Sequence, residues 1–140
     1  MNFETINLLY RYNKKLSHEK IKNMDLSDSQ WLICSYIFYH NGCSQDDVAN
    51  SLDLDKTTIA KSLAVLENMK IINRTQDKDD KRIKRLSISE KENTKITKLI
   101  NDHNIWFKKI ISCLSKEEQK DFESYCDRII KNAEKLVEEK

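Results

Sequence analysis

The chain has 140 residues, with one glycine, no proline and a formal net charge of +2. This length suits one compact domain. The scarcity of glycine and proline excludes sandwiches, barrels and Rossmann-type sheets, which need many tight turns and phosphate-binding glycines. We therefore expect a mostly helical protein. Charged residues make up 34% of the chain, so long helices that share a buried apolar surface with a second copy are also expected.

The sequence gives no sign of export or membrane insertion. No apolar run approaches the roughly 20 residues of a membrane span, and the N-terminus lacks the apolar segment of a signal peptide. We therefore expect a cytoplasmic protein. The four cysteines are far apart and form no C-x-x-C motif, so we expect buried thiols rather than disulfides or a zinc ribbon. They are Cys34, Cys43, Cys113 and Cys126.

Serine residues predict where most of the helices begin. A serine followed three positions later by an acidic or amide side chain forms a capping box, in which each side chain binds the other residue's backbone N–H. The pattern occurs as Ser27–Gln30, Ser44–Asp47, Ser89–Glu92 and Ser115–Glu118. The run after Ser27 is apolar nearly all round, which predicts a helix buried at the centre of the fold. The runs after Ser89 and Ser115 predict two long amphipathic helices, and the N-terminal segment predicts a weaker one.

Two short helices are predicted in the middle of the chain. The first runs from Ser44 to about Leu52 and the second from Thr57 to Met69, with Asp55 as the cap of the second helix. The residues predicted to point into the core are apolar and lie at helical spacing: Val48, Leu52, Ile59, Leu63 and Leu66. Two short helices joined by a tight break are typical of a helix-turn-helix.

A β-hairpin is predicted directly after these helices. Ile71–Thr75 and Ile83–Ile88 are short β-branched runs that flank a highly charged loop at residues 76–81. Leu86 and Ile88 alternate as strand residues should, whereas Ile83 falls on the opposite face. Either a bulge intervenes or Ile83 belongs to the loop. A hairpin that follows a helix-turn-helix makes a winged helix.

Positive charge is concentrated in the same part of the chain. Residues 55–85 contain nine basic and five acidic residues, a net charge of +4, which leaves −2 for the remainder. A cluster of this kind is typical of a surface that binds nucleic-acid phosphates. All eleven aromatic residues lie outside this segment. Because single-strand binders stack bases on aromatic side chains, the pattern favours double-stranded DNA.

Over residues 44–92 the chain resembles the MarR family of bacterial winged helix-turn-helix transcriptional regulators. The pieces that carry the resemblance are short motifs: Thr57 and Thr58, the pair Leu66–Glu67, Arg74, and Asp80-Lys81-Arg82, which matches the family's D-x-R wing motif. The resemblance implies a mostly α fold with a two-stranded wing. It places a DNA-binding lobe at residues 27–88 and a helical dimerisation lobe at residues 1–24 and 89–140.

The sequence departs from the family pattern at two positions. Family members usually have glycine where Lys70 stands, at the turn from helix to wing, and often another where Glu92 stands. If the backbone at Lys70 keeps a positive φ, this residue carries about 1 kcal/mol of strain.

The resemblance implies that the second helix of the pair enters the major groove and that the hairpin tip reaches the minor groove. Thr58, Lys61 and Ser62 lie opposite the apolar face of the helix, so we expect all three to point outward. Arg82 is expected to insert into the minor groove, and Asp80 to brace Arg82 or Arg74. The full set expected to act in DNA binding is Lys56, Thr57, Thr58, Lys61, Ser62, Arg74, Asp80 and Arg82.

The resemblance also implies partners other than DNA. We expect a homodimer that binds a palindromic operator, most simply as a repressor, through apolar residues of the terminal helices: Ile110, Ile111, Leu114, Phe122, Ile129 and Leu136. A small-molecule effector is expected between the two lobes, and it would release the DNA. The residues expected to line its site are Tyr10, Tyr36, Tyr39, His40 and Trp106.

Three alternatives remain open from the sequence. The protein could sense zinc through His40, Cys43, Asp102 and His103, although their spacing matches no zinc motif. Cys43 could instead sense redox state. A winged helix that binds proteins and not DNA is the third alternative. No enzyme motif is present, so neither catalysis nor a cofactor is expected.

Overall fold

The computed structural model describes residues 2–140, apart from the side chains of Leu16 and Glu19. The described elements, in chain order, are α1 (Phe3–Lys22), α2 (Asp28–Tyr39), α3 (Gln45–Leu52), α4 (Lys56–Asn68), β1 (Ile72–Gln76), β2 (Lys84–Ile88), α5 (Glu90–Ile110), a 3-10 turn (Ile111–Cys113) and α6 (Lys116–Glu138). They form two compact units, one ending at Asn104 and the other spanning Ile105–Lys140. In the part of the chain that is described, every helix is too short or too polar to cross a bilayer.

Three of the four predicted capping boxes form as expected. Ser27, Ser44 and Ser115 each accept a hydrogen bond from the backbone N–H three residues later, and that residue's side chain accepts from the serine N–H. For Ser27 the two distances are 3.1 Å to the Gln30 N and 2.9 Å to the Gln30 Oε1. A helix therefore starts at each of these serines without help from proline.

The fourth box, at Ser89, forms only in part. The Ser89 N–H donates to the Ile71 carbonyl at 2.8 Å, so it is not available to the Glu92 carboxylate. That carboxylate pairs with Lys95 at 3.3 Å instead. The Ser89 hydroxyl accepts only a long bond, 3.4 Å, from the Glu92 N–H, and it donates to the Lys70 carbonyl at 2.7 Å. Ser89 therefore connects α5 to the start of the wing.

The core of the first unit is built around α2. Ile33, Cys34 and Ile37 of this helix are fully buried, together with the predicted inward face of α4. Burial of side chains of this size stabilises the fold by about 1.5–3 kcal/mol each. The expectation that α2 is buried all round was wrong, because Leu32 is 40% exposed and Tyr39 is 57% exposed. Both residues line a cavity that is described below.

The expectation of four buried thiols also needs correction. Cys34 and Cys43 are buried, Cys126 is half-buried and Cys113, in the 3-10 turn, is exposed. Burial raises the pKa of the Cys34 thiol to about 12. Cys113 and Cys126 belong to the second unit, in which no described side chain of α6 is buried.

The hairpin is antiparallel, with Ile72 opposite Ile88 and Gln76 opposite Lys84. Ile83 lies in the loop, where its N–H donates to the Asp80 carbonyl at 3.0 Å. There is therefore no bulge, and β1 and β2 each begin one residue later than predicted.

The wing is also joined to the connection between α2 and α3. The Gly42 N–H donates to the Leu86 carbonyl, and the Leu86 N–H donates to the Cys43 carbonyl, both at 2.8 Å. Ser44 forms an isolated bridge to Arg85. Gly42 has a φ of 85°, a conformation that favours glycine. These backbone bonds fix the base of the wing against the start of the helix-turn-helix.

Lys70 turns the chain from α4 into β1 with left-handed backbone, at a φ of 59°. The Lys70 N–H donates to the Glu67 carbonyl and the Ile71 N–H donates to the Leu66 carbonyl, each at 2.9 Å. This is the bonding pattern of a Schellman motif, which normally has glycine at the left-handed position. The turn therefore keeps the geometry of a glycine turn without the glycine.

The second unit leaves most of its apolar residues uncovered. The Gln119 side chain ties the start of α6 to the preceding turn through the carbonyls of Ile111 and Leu114. No described side chain of α6 is buried, and Ile129 is 63% exposed. The exposed large apolar residues of α6 lie at helical spacing: Tyr125, Ile129, Ile130, Leu136 and Val137.

Replacement of Lys70 by glycine should stabilise the protein. Relief of the left-handed strain gains about 1–2 kcal/mol, and the extra entropy of glycine in the unfolded chain costs about 0.5–1 kcal/mol. We expect Lys70→Gly to raise the free energy of unfolding by about 0.5–1 kcal/mol in urea titrations. Ala64→Gly, within α4, is the control and should lower it by about 1 kcal/mol. A Lys70→Gly variant no more stable than the parent would show that the turn carries no strain.

Candidate nucleic-acid interface

The N-terminus of α4 is fixed by Asp55. Its carboxylate accepts bonds from the Thr58 backbone N–H at 2.8 Å and from the Thr58 hydroxyl at 2.5 Å. The bonds from the Thr58 hydroxyl and N–H lower the pKa of Asp55. Thr58 is half-buried and its hydroxyl is used within the protein. The exposed groups at this end of the helix are therefore Lys56 and Thr57.

The outward face of α4 differs from the predicted one. Ser62 is only 8% exposed and lies at the edge of the core, so the expectation that it points outward was wrong. The reason is geometric: Ser62 is adjacent in the helix to the buried Ile59, Leu63 and Leu66, and the buried arc is wide enough to include it. Apart from Lys56 and from Glu67, which pairs with Arg74, the exposed residues of α4 are Thr57, Ala60, Lys61, Ala64, Val65 and Asn68.

Four of these exposed residues were missed from the sequence, namely Ala60, Ala64, Val65 and Asn68. Their spacing from Thr57 and Lys61 was the available signal. The residue types give no such signal, because alanine and valine lack the polar groups that bond to phosphates and base edges.

At the tip of the wing, Arg82 is held by Asp80. The guanidinium donates from Nε to Asp80 Oδ1 at 3.0 Å and from its terminal nitrogen to Oδ2 at 2.9 Å. The Arg82 backbone N–H donates to Oδ1 as well, at 3.0 Å. These bonds lower the pKa of Asp80 and raise that of Arg82. The Arg82 side chain is nevertheless 90% exposed, so it is oriented and still accessible to a ligand.

The wing loop is shaped by a second carboxylate. Asp77 Oδ2 accepts the backbone N–H groups of Asp79 and Asp80, at 3.2 and 3.0 Å. Its Oδ1 accepts from Arg85 Nε at 3.0 Å, and this bond is the main reason why the pKa of Asp77 is lowered. Asp77 thus closes the turn from which Asp80 presents Arg82.

Arg74 connects the wing to both helices of the helix-turn-helix. Its Nε lies 3.0 Å from Glu67 Oε2 of α4, although the N–H is not aimed well enough to make a hydrogen bond. A terminal nitrogen donates to Gln45 Oε1 of α3 at 3.4 Å. Only 22% of the Arg74 side chain is exposed. Asp80 braces Arg82 and not Arg74, and the contacts of Arg74 are those of a positioning residue.

Four of the five acidic residues of this region bond to other groups of the protein, whereas many of the basic residues do not. Asp55 caps α4, and Glu67, Asp77 and Asp80 each pair with an arginine. Among the described residues, no carboxylate forms an ion pair with the lysines of this segment, which are Lys56, Lys61, Lys70, Lys78, Lys81 and Lys84. The net charge of +4 is therefore presented mainly as uncompensated lysine.

A cavity of about 430 Å³ lies among α1, α2 and the first part of α5. It contains two of the predicted effector-site residues, Tyr10 and Tyr39. The sequence did not identify Trp31 and His103, which stack with ring centroids 5.0 Å apart and line the same cavity. Burial lowers the pKa of His103, which favours its neutral form. Leu54, in the turn before α4, also lines this cavity.

The other predicted effector residues lie elsewhere. Tyr36 and His40 stack at 4.1 Å, and the Tyr36 hydroxyl accepts a bond from Ser51 of α3. Neither residue lines the cavity. Trp106 belongs to the second unit, where Lys109 lies over its ring at 4.7 Å.

The structure gives little support to a metal or thiol sensor. In the described part of the chain, no three histidine, cysteine or acidic side chains are close enough together to hold a metal ion. Burial and the nearby Asp47 raise the pKa of Cys43, which is opposite to the shift that activates a thiolate.

Part of the chain matches the model of a known family, and most of it resembles known proteins. Residues 26–84 match the model of the MarR family. The chain is 26% identical over 130 residues to YybA, an uncharacterized HTH-type transcriptional regulator of Bacillus subtilis (strain 168), with 93% of this chain and 87% of the relative covered.

Solved structures share the fold along nearly the whole chain. The transcriptional regulator SlyA superposes with a TM-score of 0.79 at 25% identity, covering 93% of this chain and 92% of SlyA. MarR gives a TM-score of 0.76 at 23% identity, covering 94% and 96%. A complex of S. aureus MepR with DNA gives 0.74 at 20% identity, covering 94% and 98%. The mostly helical fold with a two-stranded wing is therefore confirmed.

Proposed function

We propose that this chain, whose residues 26–84 match the MarR family model, regulates transcription by binding a palindromic operator in double-stranded DNA as a homodimer. We further propose that it acts as a repressor, that a small-molecule effector releases it, and that it works in the cytoplasm without catalysing a reaction. The observation that carries the proposal is the pairing of an exposed, lysine-bearing face on α4 with an oriented arginine at the wing tip.

The two exposed elements match the two grooves of a DNA duplex. The second helix of a helix-turn-helix fits the major groove, where Lys56 and Lys61 can reach phosphates or base edges. An arginine on a projecting loop suits the minor groove, whose negative potential is strongest in narrow A·T tracts. S. aureus MepR, a protein of this fold, has been solved in complex with DNA, which supports DNA as the partner.

Double-stranded DNA fits this surface better than single-stranded nucleic acid. No aromatic residue occurs between Tyr39 and Trp106, so the helix-turn-helix and wing have no ring on which to stack an unpaired base. The uncompensated lysines instead suit the closely spaced phosphates of a duplex.

Dimerisation would cover the exposed apolar residues of the second unit. A long apolar stripe that its own chain leaves uncovered marks an interaction surface, because burial of the stripe by another surface is favourable. A second copy provides such a surface and supplies the second helix-turn-helix. Two such motifs bind half-sites about one helical turn apart, which explains a palindromic operator.

The cavity among α1, α2 and α5 is the proposed effector site. Its volume of about 430 Å³ suits a small organic molecule. Trp31 and Tyr39 supply aromatic walls, which favour an aromatic ligand. Lys14 and Asp28 on the rim form an ion pair with each other, so their charges compensate. This composition fits a phenolic or lipophilic compound.

Arg82→Ala is expected to weaken specific DNA binding at least tenfold, because the variant loses the minor-groove contact. The measurement is a fluorescence anisotropy titration at fixed salt, with an operator selected from a random duplex library. Lys98→Ala removes one exposed positive charge from α5 and serves as the control, with little expected effect. Unchanged affinity of the Arg82→Ala protein would overturn the assignment of the wing tip.

Ile129→Asp is expected to convert the dimer to monomers, because a carboxylate would be buried without a partner at the interface. Light scattering at micromolar concentration measures the change. Lys131→Asp, on the opposite side of α6, is the matched control and should remain dimeric. A dimeric Ile129→Asp protein would show that the stripe on α6 is not the interface.

Ser35→Leu is expected to fill the effector cavity and make DNA binding insensitive to aromatic ligands. A panel of phenols and aromatic acids is first screened for compounds that release the operator from the parent protein. With an active compound, the variant should need at least tenfold more ligand for release. Tyr36→Phe, which lies outside the cavity, is the control. Equal sensitivity in the Ser35→Leu protein would place the effector elsewhere.

A further inference from the structure

Three of the exposed residues of α4 carry short apolar side chains that end in methyl groups. They are Ala60, Ala64 and Val65, and Val65 is 42% exposed. Ala60 and Val65 lie on the two flanks of the exposed side of the helix, and Ala64 lies between them. We call these three residues the methyl face. Lys61 lies beside them, and Thr57 and Asn68 lie at its two ends.

The surroundings of the methyl face indicate an anionic partner. No described residue of the first unit covers it, because the opposite side of α4 packs against α2, α3 and β1. Lys61 makes no described ion pair, and Asp55 and Glu67, the acidic residues that flank and end the helix, bond to Thr58 and Arg74. A partner for this face must therefore combine negative charge with apolar groups.

The major groove of DNA offers that combination at thymine. Thymine alone among the four bases displays a C5-methyl group there, beside the negatively charged phosphates. Short side chains also allow the helix backbone to approach the bases closely. Ala60 and Ala64 are one turn apart, about 6 Å along the helix axis, which is close to two base-pair steps.

We propose that the methyl face recognises thymine C5-methyl groups in the major groove and thereby gives the protein a preference for A·T pairs at the centre of each half-site. Asn68 adds a side chain that can pair with the adenine opposite a thymine, and Lys61 supplies a phosphate or guanine contact. This inference rests on the proposed binding of duplex DNA and specifies which bases α4 selects.

Replacement of thymine by uracil in the selected operator tests the inference directly. Uracil pairs with adenine in the same way and leaves the minor groove and the phosphates unchanged, but it lacks the methyl group. Each substitution at a contacted thymine should weaken binding of the duplex about fourfold, which corresponds to ~0.8 kcal/mol for one buried methyl group. Thymines outside the half-sites serve as control positions and should show no effect.

Protein variants assign the effect to α4. Val65→Ser removes both methyl groups of this side chain at little cost in helix propensity. At the thymine that Val65 contacts, the variant should bind the thymine and uracil duplexes with nearly equal affinity. Lys61→Gln, on the same face, should weaken binding to both duplexes and leave the ratio of the two affinities unchanged. Circular dichroism verifies that each variant is folded.

The outcomes separate this inference from the proposed function. If the protein selects a specific operator but binds the uracil duplex equally well, the methyl face does not recognise thymine, and the proposed function stands. If no duplex is preferred over random DNA at any salt concentration, the proposed function fails and the inference fails with it. A fourfold loss that Val65→Ser abolishes supports both.

Discussion

The arrangement of the first unit depends on how its helices end. Each of the first four helices is followed by one residue with positive φ, and only one of these residues is glycine: the four are Asp25, Gly42, Asp53 and Lys70. Aspartate tolerates left-handed backbone better than most residues, because its short side chain can bond to the local backbone. Lys70 has no such advantage. Its conformation is held by the two Schellman bonds and by the Ser89 hydroxyl on its carbonyl.

The direction of the wing follows from this turn. Lys70 joins α4 to β1, and the wing has three further connections to the rest of the first unit. Arg74 contacts α3 and α4, and Ser89, just before α5, bonds to the Lys70 carbonyl. The backbone of Leu86 bonds to residues 42 and 43. Arg82 at the wing tip therefore has a fixed position relative to α4. The acidic residues of the wing orient Arg82 more than they neutralise its charge. Asp77 closes the loop, and Asp80 aligns the Arg82 side chain while leaving it exposed.

Features set by local sequence could be predicted, whereas those set by packing could not. The three complete capping boxes, the Asp55 cap and the apolar face of α4 depend on residues within one helical turn of each other, and all were found in the structure. The partner of the Ser89 N–H could not be predicted, because Ile71 lies far away in sequence. The burial of Ser62 likewise depends on how closely α4 packs against its neighbours. The D-x-R motif indicated the Asp80–Arg82 pair, whereas nothing local indicated that Arg74 would bridge two helices.

The cavity reaches the turn that precedes α4, the helix proposed to bind DNA. Part of the cavity wall belongs to the buried core, for example Ile21, Trp31 and Ile100, and displacement of such residues disrupts close packing. Leu54 is half-buried, and its place in the chain sets it apart, because it lies in the turn directly before Asp55, the cap of α4. A ligand changes a conformational equilibrium only through its different affinity for the two states. A ligand that contacts Leu54 more favourably when the turn has shifted would therefore also shift the N-terminus of α4, the helix proposed to enter the major groove.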